Sequence, residues 1–567
     1  MITAIEIENF KAIHDRIRVE FKPITLLFGP NSAGKSTIVQ ALHYAREILE
    51  RNNLDPDRTI YGGAAVELGG FRNLVHNHDI ERSIVLRFDL DLREVDLPEY
   101  GVASPVVGIP HKLQDQLSRE TTSAWIQLTA QWSTITDGPQ ITLYEVGLNG
   151  EMAGRIRASL DRTQVGITEI NFRHPLFCEP ADTSSQSPHA EAPVSILEEL
   201  HGELFPMPIE GGIGLLGLRS AVPQLDELLN LDTDWAESDF DDKFESYSEL
   251  VGILTQALVG PATLLREELR QFRYLGPLRE IPPRNYEPSR TRDEARWASG
   301  LGAWDALHRN GPQFVRAVSD WLSGADRLDA GYELHLKQYK ELDAAGPLML
   351  SLSPDRALDD IEDLRAELEK LPTKSRLVLV EGGKEIEILP PDIGVGVSQV
   401  LPVVVAALDD GSRFVVIEQP ELHIHPAIQV NLGDLFISQV GQSKDKGMTL
   451  VPESDLGLGL EDMQGQDLAA QFHRSRRLPD VNAIHKTFLL ETHSEHLLLR
   501  LLRRVRETAS DELPPGAAPL RPEQLAVFYV EQTPDGAKLT KLRIDETGEF
   551  IDRWPKGFFA ERRRELL

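Results

Sequence analysis

Residues 28–36 read FGPNSAGKS, and in them Gly29, Gly34, Lys35 and Ser36 have the GxxxxGK[ST] spacing of a phosphate-binding loop. In such a loop backbone N–H groups cradle phosphate oxygens, the lysine reaches the terminal phosphate and the serine hydroxyl reaches Mg2+. Asn31 and Thr37 flank these residues and join the candidate phosphate-binding set. A triphosphate chemistry of this kind also needs a carboxylate for the metal. Residues 413–426, RFVVIEQPELHIHP, supply one, because the apolar run 414–417 ends on Glu418 at the tip of an expected strand.

Two further segments carry related chemistry. Residues 392–402, DIGVGVSQVLP, form a glycine-rich turn opening a helix, a second anion-binding N-terminus that contains Gly394, Gly396, Ser398 and Gln399. Residues 487–506, TFLLETHSEHLLLRLLRRVR, read as a strand over 488–490, its tip over 491–494, and an amphipathic helix from His496 bearing Arg500, Arg503, Arg504 and Arg506. His493, after that strand, is placed to sense or polarise a γ-phosphate.

The elements that must position these groups are legible around them. Residues 24–28, ITLLF, are a strand entering the loop, and residues 37–42, TIVQAL, continue as a helix whose positive end faces the phosphates. Alternating side chains over 2–28 predict two strands before it, the helix runs to about Arg51, and 84–92 alternate again after a glycine-punctuated loop over 61–79. From 95 to 270 the periodicity is mixed. Strand-like stretches at 124–132 and 141–148 precede a low-complexity piece at 179–193, an acidic run at 226–249 that reads as a solvated helix face, and helical spacing at 250–272. Residues 273–296 gather Arg273, Arg279, Arg284, Arg290, Arg292 and Arg296 among prolines and tyrosines. This strip has two readings, a contact for phosphates or ordinary pairing with its interleaved acids.

Composition narrows the class. The 567 residues exceed one ordinary core, and 90 acidic against 59 basic side chains leave a net charge of -31, which opposes nonspecific attraction to nucleic acid. One cysteine, Cys178, excludes an intrachain disulfide or a cysteine-built zinc site and suits a reducing compartment. No apolar run approaches the roughly 20 residues of a membrane span and the N-terminus lacks a signal-peptide layout, so a cytoplasmic location without membrane contact is expected.

Together these motifs resemble the ABC-type ATPases of the RecF, SMC and OLD-like branch, and most closely bacterial AAA-type ATPases that carry a C-terminal domain of unknown function, of the kind found in anti-phage defence. The resemblance rests on IENFKAI at 7–13, FGPNSAGKST, YLGPLRE at 274–280, GVGVSQVLP, IEQPELHIHP, ETHSEHLLLRLLRR and the closing IDETGEFIDRWPKGFF at 544–559. It implies an α/β fold, a P-loop NTPase of ABC-ATPase head type with an inserted α+β and helical middle region. ATP and Mg2+ are the implied cofactors, with Ser36 and Glu418 on the metal, His493 as switch histidine, and Gly394 to Gln399 as the signature segment that contacts ATP held by a second subunit. Five units are expected: an N-terminal lobe over 1–94, an inserted region over 95–270, an arginine-rich and helical connection over 271–390, a C-terminal lobe over 391–510 and a small C-terminal domain over 511–567.

Three departures from the family pattern stand out. Gly394 replaces the usual signature serine, leaving Ser398 as the nearby hydroxyl. Gln419 occupies the position of the usual catalytic glutamate, and because an amide cannot accept the water's proton, hydrolysis is expected to be slow or to use Glu421. Residues 441–486 form an unusually long insertion with Arg474, Arg476 and Arg477, read either as a plain disordered insert or as a partner or nucleic-acid contact. The tail is too short for the Toprim nuclease of OLD-like relatives. The expected function is therefore an ATP-driven homodimeric or larger switch acting on a separately encoded effector, a nuclease being one candidate, with nucleic acid as a further partner; the alternative is a DNA-repair or end-sensing ATPase.

Overall fold

The computed structural model describes residues 1–56, 65–100, 112–178, 195–205, 212–233, 237–291, 293–343, 368–382, 386–440 and 486–555. Ile2–Glu8 (β1) and Ile17–Glu20 (β2) pair antiparallel and lead into Ile24–Phe28 (β3), from which the phosphate loop passes to the helix Lys35–Arg51. Beyond them Ile84–Asp91 (β4), Ser123–Ser133 (β5), Gly138–Leu148 (β6), Glu151–Ala158 (β7), Val165–Ile170 (β8) and Ile213–Gly214 (β9) extend one antiparallel sheet in the order β2-β1-β4-β5-β6-β7-β8-β9. Alternation explains β4, whose burial pattern is buried at every second residue, one face toward the core and one toward solvent.

The central sheet obeys a different rule. Arg273–Leu275 (β10), Phe414–Glu418 (β14), Thr487–Glu491 (β15), Leu525–Thr533 (β16) and Gly536–Leu542 (β17) join β3 in the order β10-β14-β15-β3-β16-β17. All pairings are parallel except the β16–β17 hairpin. Strands β3, β14 and β15 are buried at all five residues, as unalternated apolar runs become when a parallel sheet is covered on both faces. Leu27, Val416, Leu489 and Phe528 point into one core, shared with the antiparallel sheet. Leu26, Ile417, Leu490 and Val527 point into the other, shared with the apolar helix Val395–Leu408 and the helices Pro426–Val440 and Glu495–Ala509. A third, smaller sheet consists of Tyr332–Lys340 (β11), Thr373–Glu381 (β12) and Glu387–Ile388 (β13), with Leu334, Leu377 and Leu379 turned toward that second core.

These pairings redraw the expected boundaries. The antiparallel sheet crosses residue 94 without a break, since β4 pairs with β5 along eight residues, so 1–94 and 95–270 do not separate as units. In the described part of the region 511–567, β16 lies directly against β3, with Tyr529 opposite Phe28. Residues Lys243–Gln271 are long and apolar enough to cross a membrane, a stretch the sequence reading passed over, but 89% of their apolar window is buried within the protein. That stretch packs as a core element, and Tyr144 donates its hydroxyl to the Leu258 carbonyl at 2.5 Å.

The low-complexity piece at 179–193, most of the 441–486 insertion with Arg474, Arg476 and Arg477, Arg292 and the end of the closing phrase lie outside the described residues.

Candidate nucleotide and metal site

The loop between β3 and the helix Lys35–Arg51 is shaped by its glycines. Gly29 has φ 146°, and a Cβ there would stand 2.1 Å from the Val530 carbonyl oxygen of β16; Gly34 caps the helix at φ 102°, with Ala12 and Ala537 close by. Only glycine fits at Gly29, so the C-terminal strand is part of what forms the loop. Asn31 is exposed at its tip, while Thr37 is buried and donates its N–H to the Gly34 carbonyl at 3.2 Å. Lys35 is buried, its ammonium donating to the carbonyls of Gly29 at 3.1 Å and Pro30 at 3.0 Å.

Strand β15 sits between β3 and β14, and this order sets the chemistry. It places Glu491 in register with Glu418, both at strand tips beside the loop. The Ser36 hydroxyl donates to Glu491 Oε2 at 2.7 Å and lies 3.5 Å from Glu418 Oε2, while Lys35 Nζ is 3.6 Å from Glu491 Oε1. Tyr274 donates its hydroxyl to the other oxygen of Glu418 at 3.0 Å. Burial, and next the negative charge of Glu491, push the Glu418 carboxyl up to about 7. Burial also lowers the pKa of Lys35, with Glu491 the leading opposing influence.

Ser36, Glu418 and Glu491 form an all-oxygen donor set of the type a hard divalent cation takes, and a cation would relieve the repulsion between the two acids. Among the described residues no cluster of three or more His, Cys, Asp or Glu side chains is placed to cage a metal. Mg2+ takes one or two carboxylates and completes its shell with phosphate and water. These three residues would hold it, and once bound it would neutralise phosphate oxygens.

His493, Gln419 and Glu421 have distinct environments. Nε2 of His493 is buried with no hydrogen-bond partner, and burial together with the Lys35 charge lowers its pKa, so the ring presents a neutral imidazole. Such an orphaned buried nitrogen fits a site that receives a phosphate oxygen. Gln419 has the left-handed φ of 45°, its N–H donating to the Glu491 carbonyl at 2.7 Å. A positive φ at a residue other than glycine is uncommon and clusters at functional turns. Glu421 is half-buried and accepts from the Thr492 hydroxyl and the His493 N–H, both at 2.7 Å. It ties the turn after β14 to the tip of β15, and so fixes the backbone of His493.

The signature candidates divide. Gly394 is exposed and Val395 is 55% exposed at the start of the Val395–Leu408 helix, and a Cβ on Gly396 would approach the His423 carbonyl to 3.0 Å. Ser398, only 1% exposed, turns its hydroxyl onto the Val395 carbonyl at 2.8 Å, and Gln399 donates its amide to the Arg279 carbonyl at 2.8 Å. Ser398 and Gln399 therefore face inward, and the part of the segment open to a partner is Gly394 to Gly396.

The arginine strip divides: Arg273 and Arg279 are drawn into the fold, while Arg284 and Arg290 are exposed. Arg279 is buried, and its guanidinium donates to the carbonyls of Gln399 at 3.2 Å, Glu418 at 2.7 Å and Gln419 at 3.1 Å. Burial lowers its pKa to about 10, which leaves it charged at neutral pH. Arg273 pairs with Asp409 and lies over the Trp297 ring, and Arg296 pairs with Asp305 at 2.6 Å. Sequence reasoning missed Tyr274 and Glu491 as members of the site. Glu491 carries the same signal as Glu418, an acid ending a buried apolar strand.

Three stretches of the chain match known families. Residues 1–78 match the family described as AAA ATPase domain, residues 266–446 the one described as AAA domain, putative AbiEii toxin, Type IV TA system, and residues 520–567 the protein of unknown function DUF3696. No curated protein matches the sequence. Solved structures similar to it include an Smc head bound to the C-winged helix domain of ScpA, at 9% identity and TM-score 0.35, covering 96% of this chain and 98% of that one. Also similar are an Smc head with an extended coiled coil bound to the C-terminal domain of ScpA derived from Pyrococcus furiosus, at 10% identity and TM-score 0.33 over 96% of each chain, and an SMC head domain from Thermotoga maritima, at 8% identity and TM-score 0.34 over 96% of this chain and 99% of that one. The chain is an α/β P-loop NTPase that carries AAA ATPase domains, as its loop and strand order require.

Proposed function

We propose that this protein is a Mg·ATP-operated switch whose bound triphosphate is hydrolysed slowly, and that two copies close on ATP to signal to a separately encoded effector in defence against phage or foreign DNA. The observation that carries the reading is the Ser36 hydroxyl shared between Glu418 and Glu491 beside Lys35, with Gln419 in the place of a base. In this reading Lys35, Ser36, Glu418 and Glu491 serve phosphate and metal, while Gln419 cannot take a proton from water. Glu421 is already engaged by Thr492 and His493, which supports a positioning role for it rather than a free base.

Glu491 in this reading is a second metal carboxylate, and His493 meets the terminal phosphate through its unpartnered Nε2. The open Gly394 to Gly396 turn is the part offered to the triphosphate of a second copy. The defence assignment is supported by the toxin–antitoxin description of the family matched over 266–446.

The test is direct. Protein incubated with Mg·ATP, desalted and denatured should release chiefly ATP, about one per chain. Release of chiefly ADP, or of no nucleotide, would overturn the slow-switch reading.

A further inference from the structure

A cleft of 710 Å3 lies away from the phosphate loop, and none of its wall residues belongs to the nucleotide site described above. One wall is the loop after Arg279, with Tyr286 and Arg290; the floor is the helix Leu301–Arg309, with Trp304 and Arg309; the far wall is the end of the β11–β12 hairpin, with Tyr339 and Arg376. The volume falls in the range of about 300–1,000 Å3 usual for ligand pockets.

Its charges do not cancel. Lys374 is taken by Glu341 at 2.5 Å, Arg284 by Asp392 at 2.6 Å, and Asp305 by Arg296 at 2.6 Å. That leaves Arg290, Arg309 and Arg376, which have no carboxylate partner among the described residues, against Glu287 alone. In a chain of net charge -31, three arginines without a carboxylate partner among the described residues gather around one concavity, and a low-dielectric cleft concentrates their field. Guanidinium forks match phosphate oxygens in shape as well as charge.

The remaining walls suit a planar group. Tyr286 and Tyr339 are half-buried, and the Arg376 guanidinium lies 5.5 Å from the Tyr339 ring centroid, a cation already stacked on an aromatic face. Trp304 is 1% exposed, and its indole N–H is buried without an acceptor. A buried donor left unpaired is costly to the fold.

We infer that this cleft binds a nucleotide unit, an aromatic base carrying phosphate, held as a free nucleotide or as part of a single nucleic-acid strand. Phosphate meets Arg290, Arg309 and Arg376, and the base lies against Tyr286 and Tyr339. The cleft is also joined to the ATPase half: its walls include Pro390 and Pro391, and Arg284 pairs with Asp392, two residues before Gly394. This inference is independent of the slow-switch reading.

The test uses the full chain with Lys35→Ala, so that the phosphate loop does not contribute. Two probes are titrated, a fluorescein-labelled oligothymidylate by anisotropy and AMP by calorimetry and by competition. Binding of either probe is expected, weakening as salt rises. Combined R290E and R376E should weaken it about tenfold or more, because two phosphate contacts become repulsive. Both side chains are exposed, so the melting temperature should stay put, and Arg309→Ala gives an independent loss if it does not. Oligonucleotide binding that AMP displaces identifies a strand as the source, and AMP binding alone identifies a free nucleotide. Binding of neither probe, or equal binding by the variants and their parent, overturns the inference.

Discussion

Glu418 and Glu491 face each other in register across parallel strands β14 and β15, and the Ser36 hydroxyl lies 3.5 Å from one and 2.7 Å from the other. Two carboxylates so placed repel unless a proton or a cation lies between them, and this is the physical reason for reading the pair as a metal site. Glu491→Gln should keep the hydrogen bond from Ser36 and remove the charge. We expect the Mg2+-dependent part of the affinity for a non-hydrolysable ATP analogue to fall about tenfold or more, the scale on which metal-site residues act. Calorimetry with and without Mg2+ measures it, and an unchanged Mg2+ increment would remove Glu491 from the ligand set. Glu418→Gln should have the same effect on the metal while leaving the melting temperature level or higher, because a buried charge is lost.

Gln419→Glu restores a proton acceptor at a position whose left-handed φ of 45° both side chains must share. Turnover in a phosphate-release assay is expected to rise about tenfold or more, toward the range that general-base catalysis contributes. Glu421→Gln serves as the control. If Gln419→Glu leaves the rate unchanged and Glu421→Gln abolishes it, Glu421 is the base and the present assignment is wrong.

Arg279→Leu removes a buried guanidinium on which the carbonyls of Gln399, Glu418 and Gln419 depend. Hydrogen bonds to a charged group contribute about 1.5–3 kcal/mol each, so a loss of about 3 kcal/mol or more in unfolding free energy is expected from denaturant titration. A change below about 1 kcal/mol would mean that water replaces the guanidinium.

How far the sequence reaches is clear from particular residues. Lys35, Ser36, Glu418 and His493 were legible because each is fixed by a local pattern, a strand of apolar residues ending in a turn, and the fold brings all four together. Glu491 had the same local pattern but gained its meaning from strand order, since β15 must lie between β3 and β14 for its tip to face Ser36. For a related reason the sequence left the arginine strip with two readings: Asp409 and the carbonyls of Gln399 and Glu418, the partners of Arg273 and Arg279, are over 100 residues away in sequence. Pairing at that range is decided by packing, which also placed β16 against β3.

His43 offers a pH test. It lies in the helix Lys35–Arg51, fully buried against Phe272 and Tyr274 at 4.8 and 4.9 Å between ring centroids, and burial holds its pKa down at about 3. The unfolded chain takes up this proton below about pH 6.5 and the folded one does not until about pH 3, so stability is full above 6.5 and falls as the pH drops between the two. The loss from this group is about 1.4 kcal/mol per pH unit at most. His43→Phe keeps an aromatic ring in place and should flatten the fall in melting temperature between about pH 6.5 and 5. A slope identical to that of the parent protein would show that His43 does not govern it.

The central claim is that Mg·ATP, once bound at Ser36, Glu418 and Glu491, joins two copies of the chain. Light scattering coupled to size exclusion, on the Gln419 protein with Mg2+ and a non-hydrolysable ATP analogue, tests it most directly. The mass should double relative to the nucleotide-free protein, and Lys35→Ala should abolish the change. A mass that stays constant while calorimetry shows the analogue bound would contradict the account.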